Sequence, residues 1–264
     1  MTAAPGGSRI SGKLALVTGA SAGIGEACAE RLAAEGAELV LWARREERLE
    51  TLADRLRGTY GVGVETGAVD VRDRGAVEAI AAALLDRGRV PDILINNAGL
   101  AAGLAPIQTG DPDDWDRMID TNVKGLLYVT RSILPAMIEA GRGHVVNIGS
   151  IAGYQVYPGG NVYNASKFAV RALTEAMNID VLGTPLRVSS VDPGLVETEF
   201  SIVRFQGDEE RAESVYEGYT PLSGADVADV VAYVLDAPPH VNLADVRVLP
   251  TAQRSAYHLH REGV

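Results

Sequence analysis

Cysteine is almost missing: Cys28 stands alone in 264 residues. A lone thiol excludes an internal disulfide framework and fits a reducing compartment. Set among Ala27, Ala29 and Leu32, it reads as a small buried hydrophobe. Lysine is scarce too, at Lys13, Lys124 and Lys167 only. Acidic residues outnumber basic ones, and the net charge of −11 argues against nucleic acid or an anionic membrane as a main partner. No apolar run approaches a membrane span. Residues 1–11 are small and polar, without the apolar core of a signal peptide, and read as a flexible tail. The expected location is the cytoplasm. Of the histidines, His258 and His260 have ligand-like spacing, but nothing else in the sequence converges on them, so no metal is expected.

What is present is alternation. Short apolar runs near residues 14–17, 38–43, 62–69, 92–95, 144–148, 186–191 and 245–249 alternate with helical patterns. That order predicts one α/β domain over residues 12–264, a Rossmann-like, doubly wound, seven-stranded parallel sheet flanked by helices. A chain of this length buries about 70–75% of its unfolded surface and needs no staples. No repeat, low-complexity segment or second domain is visible.

The first strand runs into Thr18-Gly-Ala-Ser-Ala-Gly-Ile-Gly25 and then an Ala/Leu-rich helix. Gly19, Gly23 and Gly25 lack Cβ, so backbone N–H groups at the helix start can approach a pyrophosphate. Arg44 and Arg45 follow the second strand, where a dinucleotide fold holds the adenosine ribose. Arginine there suits a 2′-phosphate, so NADP is expected over NAD. Alternatively the two arginines open a charged helix and pair with Glu46 and Glu47. Asp70 ends the third strand and either accepts from an adenine amino group or caps the helix beginning near Arg74. Asn96 and Gly99, in Asn96-Asn-Ala-Gly99, are expected to shape the cofactor crevice.

Residues 113–140 read as one long helix in which the polar Asn122 is either a solvated position or a kink holding a bound water, with Pro135 bending the helix's end. Asp192-Pro-Gly194 breaks the sixth strand. Thr198 either bonds the cofactor or caps the next turn. Residues 198–222, charged and weakly periodic, are expected to form a flap.

Tyr163 and Lys167 are four residues apart, on one face if a helix follows the Gly159–Asn161 loop. A free phenol titrates near pH 10, too high for proton exchange at neutrality. An ammonium about 5 Å away, at an effective dielectric of about 20, favours phenolate by roughly 3 kcal/mol. That shift would make Tyr163 a usable general acid/base. Ser150, at the end of the His144 strand, can hydrogen-bond a carbonyl oxygen as charge develops on it.

Together, Thr18-Gly-x3-Gly-x-Gly25, Asn96-Asn-Ala-Gly99, Asn122, Ser150, Tyr163-x3-Lys167 and Pro193-Gly194 resemble the short-chain dehydrogenases/reductases over about residues 13–250. The resemblance implies that Tyr163 donates or accepts the proton and that Ser150 orients the carbonyl. Lys167 would lower the tyrosine pKa and hold the nicotinamide ribose, and Asn122 would anchor a water. It implies cofactor contacts at Gly19, Ser21, Gly23, Ile24 and Gly25, at Arg44 and Arg45, and at Asp70 and Val71. Further contacts follow at Asn97, Ala98 and Gly99, at Tyr163 and Lys167, and at Pro193, Gly194, Val196 and Thr198. It also implies a homotetramer, or a dimer, joined through the helices carrying Asn122 and Tyr163.

Several stretches are similar to NADP-dependent 3-hydroxy acid (serine/allo-threonine) dehydrogenases: Asp116-Arg-Met-Ile-Asp-Thr-Asn122, Asn147-Ile-Gly-Ser150, Gly159-Gly-Asn-Val-Tyr163, Glu199-Phe-Ser-Ile-Val-Arg-Phe205 and Pro239-His-Val-Asn242. The expected reaction is hydride transfer between NADP(H) and a secondary alcohol or carbonyl on a small molecule. A short 3-hydroxy acid would use Ser150, Tyr163 and, for its carboxylate, Arg204. The alternative for Arg204 is a surface residue balancing Asp208 and Glu209. The alternative functions are a general carbonyl reductase, an epimerase or dehydratase holding its cofactor, and a cofactor-binding regulator without turnover.

Overall fold

Strand β1 (Leu14–Thr18) is buried on both faces, Leu14 and Leu16 entering one apolar layer and Ala15 and Val17 the other. Strand β2 (Glu38–Ala43) divides in the same way, with Leu39 and Leu41 opposite Val40 and Trp42. A strand covered on both faces carries a continuous apolar run rather than an alternating one, which is why these segments are recognisable from composition. The computed structural model describes residues 7–263. The remaining strands are β3 (Val64–Ala68), β4 (Ile93–Asn96), β5 (His144–Ile148), β6 (Arg187–Pro193) and β7 (Asp245–Val248).

All seven pair in parallel in the order β3-β2-β1-β4-β5-β6-β7. Parallel neighbours need crossovers, and helices supply them. One face carries α1 (Gly23–Ala34), α2 (Glu46–Tyr60) and α9 (Gly224–Leu235), packed through Leu32, Leu49, Leu56 and Val231. The other carries α3 (Arg74–Leu85), α5 (Leu126–Glu139) and α6 (Asn161–Asp180), packed through Val77, Ile133, Val170 and Met177. Trp42 is fully buried in that second layer, and truncating such a side chain costs about 3–5 kcal/mol. The strand order reverses between β1 and β4, opening a crevice at the strands' carboxyl ends.

Several expected boundaries shift. The flexible tail does not extend to residue 11: Ile10 is 1% exposed within the core, and the Arg9 backbone N–H donates to Asp236 Oδ1 at 2.7 Å. Residues 1–6 lie outside the described residues. The single helix expected over 113–140 is α4 (Pro112–Ile119), a π-helical turn at Asp120–Gly125, and α5. The irregularity therefore falls at Asn122, as a π turn, while α5 passes through Pro135 unbroken. The expected flap contains two short helices, α7 (Glu199–Arg204) and α8 (Glu209–Ser214). Asp73 caps α3, accepting from the Ala76 N–H, so Asp70 is not the cap.

Candidate active site

The turn after β1 is fixed by Thr18. Its buried hydroxyl donates to the Ile95 carbonyl and accepts from the N–H groups of Asn97 and Ala98, both at 3.1 Å. Asn97 Nδ2 returns the tie, donating to the carbonyls of Thr18 and Gly19 at 3.0 and 3.2 Å. Gly19 adopts φ +65°, and a Cβ there would lie 2.9 Å from Ala98 Cα. At Gly19 the cradle is too tight for a side chain, so the backbone can approach a ligand there.

The crevice is a cavity of about 480 Å³. Its walls include Gly19, Ser21, Gly23 and Ile24 of the turn, Arg44, Arg45, Asp70 and Val71, and Asn97, Ala98 and Gly99. Pro193, Gly194, Val196 and Thr198 complete that side, and Ser150, Tyr163, Lys167 and Arg204 line the far end. Three residues expected at the site are not among its walls. Gly25 is buried behind the turn, where a side chain would collide with Asn97 Nδ2 and the Gly19 carbonyl. Asn122 sits deeper. Asn96 also points inward, donating to Thr130 Oγ1 and Asn147 Oδ1 at 2.9 Å, and braces β4 rather than the crevice wall.

At the end lined by Arg44 and Arg45, Arg45 does not pair with Glu46 or Glu47. Its guanidinium donates to Glu199 Oε2 at 2.9 Å and to the Ser21 hydroxyl and carbonyl. Asp70 is bound by Arg72 at 2.6 Å, and that hydrogen bond holds its carboxyl below the usual range. Thr198 caps α7, accepting from the Phe200 N–H, while also lining the cavity.

At the far end, Ser150 caps the 3-10 turn Ile151–Gly153, its Oγ accepting from the Ala152 N–H at 3.1 Å. Its backbone N–H donates to Asp192 Oδ1 at 3.2 Å. Tyr163 and Lys167 lie one turn apart on α6, both buried. Lys167 Nζ stands 6.0 Å from the Tyr163 ring centre and donates to the Ile148 carbonyl at 2.9 Å. The expected lowering of the tyrosine is absent. Burial, then the neighbouring Tyr157, raises the phenol above the ordinary tyrosine range, and the opposing pulls of Ser150 and Arg204 are smaller. Desolvation outweighs charge here because the phenolate, unlike the phenol, loses strong hydration when buried. Burial likewise lowers Lys167 to about 8, against the raising pull of the Asp192 carboxylate.

Asn122 locks two elements. Its Oδ1 accepts from the Leu100 N–H and its Nδ2 donates to the Leu100 carbonyl, both at 2.8 Å. The second Nδ2 proton goes to Ser166 Oγ at 3.0 Å, and Ser166 donates to the Tyr163 carbonyl at 2.7 Å. Its amide group is thus engaged by protein atoms on both sides, which fixes the chain after β4 and the helix carrying Tyr163.

Arg204 reaches in from α7. Its guanidinium carbon lies 5.3 Å from the Tyr157 ring centre and 5.8 Å from that of Tyr163. Nε donates to the Gly103 carbonyl at 3.3 Å, while Nη2 is buried without a partner. The surface pairing with Asp208 or Glu209 is not formed. Asp208 caps α8 instead. Arg204 lines the cavity, and a guanidinium with an unsatisfied donor is suited to an anion.

Sequence reasoning missed four contributors. Tyr157 and Phe200 line the far end, the latter edge-on to Tyr163 at 5.6 Å. Asp192, taken only as a strand breaker, holds the Ser150 backbone. Gln253 lines the cavity and accepts from the Leu195 N–H at 3.0 Å, bringing the C-terminal segment to the site. Of these, Asp192 alone carries a local signal: a carboxylate at the end of a buried strand requires a polar partner. Among the described residues no group of three or more His, Cys, Asp or Glu side chains could hold a metal ion.

A family model described as short chain dehydrogenase matches residues 13–209. An NADP-dependent 3-hydroxy acid dehydrogenase, YdfG, of Salmonella typhi is 47% identical over 244 residues, covering 92% of this chain and 97% of that protein. Sulfoacetaldehyde reductase 2 of Chromohalobacter salexigens is 45% identical, with 94% and 99% covered. The closed form of a serine dehydrogenase complexed with NADP⁺ superposes with a TM-score of 0.88 at 43% identity, covering 94% of this chain and 100% of that one. A match of this extent, joined to the parallel sheet and the convergence of Ser150, Tyr163 and Lys167 on one crevice, means that the chain belongs to the short-chain dehydrogenase family.

Proposed function

We propose that this protein is an NADP-dependent dehydrogenase/reductase acting on short secondary alcohols or carbonyls that carry an anionic group, a 3-hydroxy acid such as serine, allo-threonine, 3-hydroxypropionate or 3-hydroxyisobutyrate being the preferred class. The observation that carries this reading is that Tyr163, Ser150 and Arg204, whose Nη2 has no partner, line the same cavity as the glycine turn and Arg44/Arg45. The residues fit a dinucleotide: Gly19 has no room for a side chain, so backbone can meet the pyrophosphate, and the arginines follow the second strand, where a 2′-phosphate would lie.

A bound NADP, held by the glycine turn with Arg44 and Arg45, would supply hydride exchange with the substrate carbon. The protein's part is proton transfer and placement. Tyr163, held as the neutral phenol by burial, donates its proton to the carbonyl oxygen in reduction and takes it back in oxidation. Ser150 donates a hydrogen bond to the same oxygen as charge builds on it. Lys167, tied to the Ile148 carbonyl, stands 6.0 Å from the centre of the Tyr163 ring. Asn122 positions α6 through Ser166, and Arg204 receives the carboxylate.

A sulfonate is the second anion to consider, because the sulfoacetaldehyde reductases of Chromohalobacter salexigens are 45% and 46% identical to this chain. Arg204 would serve either group.

No described helix is long and apolar enough to cross a membrane, and we place the enzyme in the cytoplasm. A homotetramer or dimer through α5 and α6 is supported by their exposed apolar side chains, Leu127, Ile138, Phe168 and Ile179.

The test follows NADPH absorbance with 3-hydroxy acids, sulfoacetaldehyde, simple ketones and aldehydes, using NADP⁺ and NAD⁺. Turnover should favour anionic substrates over neutral ones and NADP over NAD. Tyr163→Phe should lower kcat by about 10²–10⁴ with NADPH binding retained. Near-normal turnover in that variant refutes the assignment, and activity on neutral ketones alone identifies a general carbonyl reductase.

A further inference from the structure

Glu199 opens α7, and its carboxylate is gripped by two arginines from across the crevice. Oε2 accepts from Arg45 Nη1 at 2.9 Å and Oε1 from Arg48 Nη1 at 2.6 Å. Arg45 is the N-cap of α2 and Arg48 lies in its first turn, so both guanidinium groups face the same point beyond the end of β2. Arg45 is further pinned to the glycine turn through the Ser21 hydroxyl and carbonyl at 3.2 and 3.3 Å. Arg45, Ser21 and Glu199 all line the cavity. Two convergent guanidinium groups holding two oxygens of one anion is the arrangement that phosphate monoesters also take. Here the anion comes from the protein itself.

We propose that Arg45 and Arg48 form a phosphate-monoester site in which the Glu199 carboxylate is a resident stand-in, displaced by the 2′-phosphate of the cofactor. This rests on the NADP reading and adds to it a further arginine, Arg48, a competitor and a consequence. A phosphate monoester brings about −1.5 to −2 charges and three acceptor oxygens at pH 7, against one charge and two oxygens for Glu199. All three protein side chains are about half exposed, so the internal bridge is weak enough to exchange. Displacement unties the first residue of the helix that also carries Phe200 and Arg204, the two groups packed against Tyr163. Cofactor choice at one end of the cavity is thereby coupled to the lid over the other. By linkage, whatever tightens the Glu199 bridge weakens 2′-phosphate binding to the same degree.

Adenosine 2′,5′-bisphosphate and adenosine 5′-monophosphate differ by the 2′-phosphate and lack the nicotinamide, so they probe this site without hydride chemistry. Calorimetric titration of the wild-type protein should favour the bisphosphate. Glu199→Gln, isosteric and exposed, should bind the bisphosphate about three- to tenfold more tightly, and Arg48→Ala about three- to tenfold more weakly. Neither should alter affinity for the monophosphate. Amide hydrogen exchange across residues 199–204 should quicken when the bisphosphate, but not the monophosphate, is added to wild type, and should start fast in Glu199→Gln. If wild type prefers the bisphosphate but Glu199→Gln binds it no better, or gains equally for both ligands, the stand-in is overturned and the NADP reading survives. Unchanged exchange across α7 overturns the coupling to the lid. If wild type binds the two nucleotides equally, the NADP reading falls and takes this proposal with it.

Discussion

Lys167 lies 6.0 Å from the centre of the Tyr163 ring yet gives its hydrogen bond to the Ile148 carbonyl, with its pKa lowered to about 8 from 10.5. Burial is the first cause, and Asp192 opposes it. A lysine whose folded pKa is depressed binds fewer protons in the native state than in the unfolded state between those two values. The charge therefore costs stability below pH 8, and that cost is relieved as pH rises toward 10.5. Stability measured by urea unfolding, taken as wild type minus Lys167→Met, should rise between pH 8 and 10 with a slope approaching about 1.4 kcal/mol per pH unit. A difference that stays flat across that range would mean the ammonium is well solvated and the burial argument wrong. Because both proteins keep their tyrosines, the tyrosine titrations cancel to first order.

Arg204 should discriminate substrates by charge. Its Nη2 lacks a partner in the protein, so a carboxylate or sulfonate would gain a charge-assisted hydrogen bond worth about 1.5–3 kcal/mol. Arg204→Ala should raise KM for anionic substrates by roughly 10- to 100-fold while leaving KM for a neutral ketone within about twofold. Arg204→Lys should recover only part of the loss, since a point charge does not reproduce the planar fork. The measurement is a pair of steady-state curves per variant. An unchanged KM for 3-hydroxy acids would remove Arg204 from the site.

The parts that were legible in sequence are those set by short-range repetition. The doubly buried strands show as continuous apolar runs, the glycine turn between β1 and α1 follows from backbone sterics, and the one-turn spacing of Tyr163 and Lys167 follows from the 3.6-residue period of a helix. Partner choice did not follow. Lys167 meets a carbonyl 19 positions upstream, and Arg45 meets Glu199 across 154 positions rather than its neighbours Glu46 and Glu47. Such pairings depend on which chain ends the sheet gathers at one edge, and no local pattern encodes that. The pKa direction of Tyr163 failed for a related reason: proximity of a cation was readable from spacing, but depth of burial was not. The π turn at Asp120–Gly125 was signalled only by a polar Asn122 in an apolar stretch, which marks an irregularity without giving its geometry.

His144 gave little in the sequence beyond opening a strand, yet it sets a test of acid stability. It is buried at the start of β5, with Nε2 2.7 Å from the Ser189 hydroxyl of β6 and Nδ1 without a partner. Burial, then the positive charge of Arg187, lowers its pKa to about 3 from 6.5. The native state consequently binds fewer protons than the unfolded chain throughout that interval. Stability from this group is complete above pH 6.5 and is lost as pH falls toward 3. His144→Gln, which keeps a polar side chain but does not titrate, should remove that component. The difference in unfolding free energy between wild type and variant should therefore shrink with falling pH, by up to about 1.4 kcal/mol per unit between pH 6 and 4. Carboxylates titrate in both proteins and cancel. Parallel stability curves over that interval would show that the imidazole protonates in the folded state, which its burial between two strands forbids unless that part of the sheet opens first.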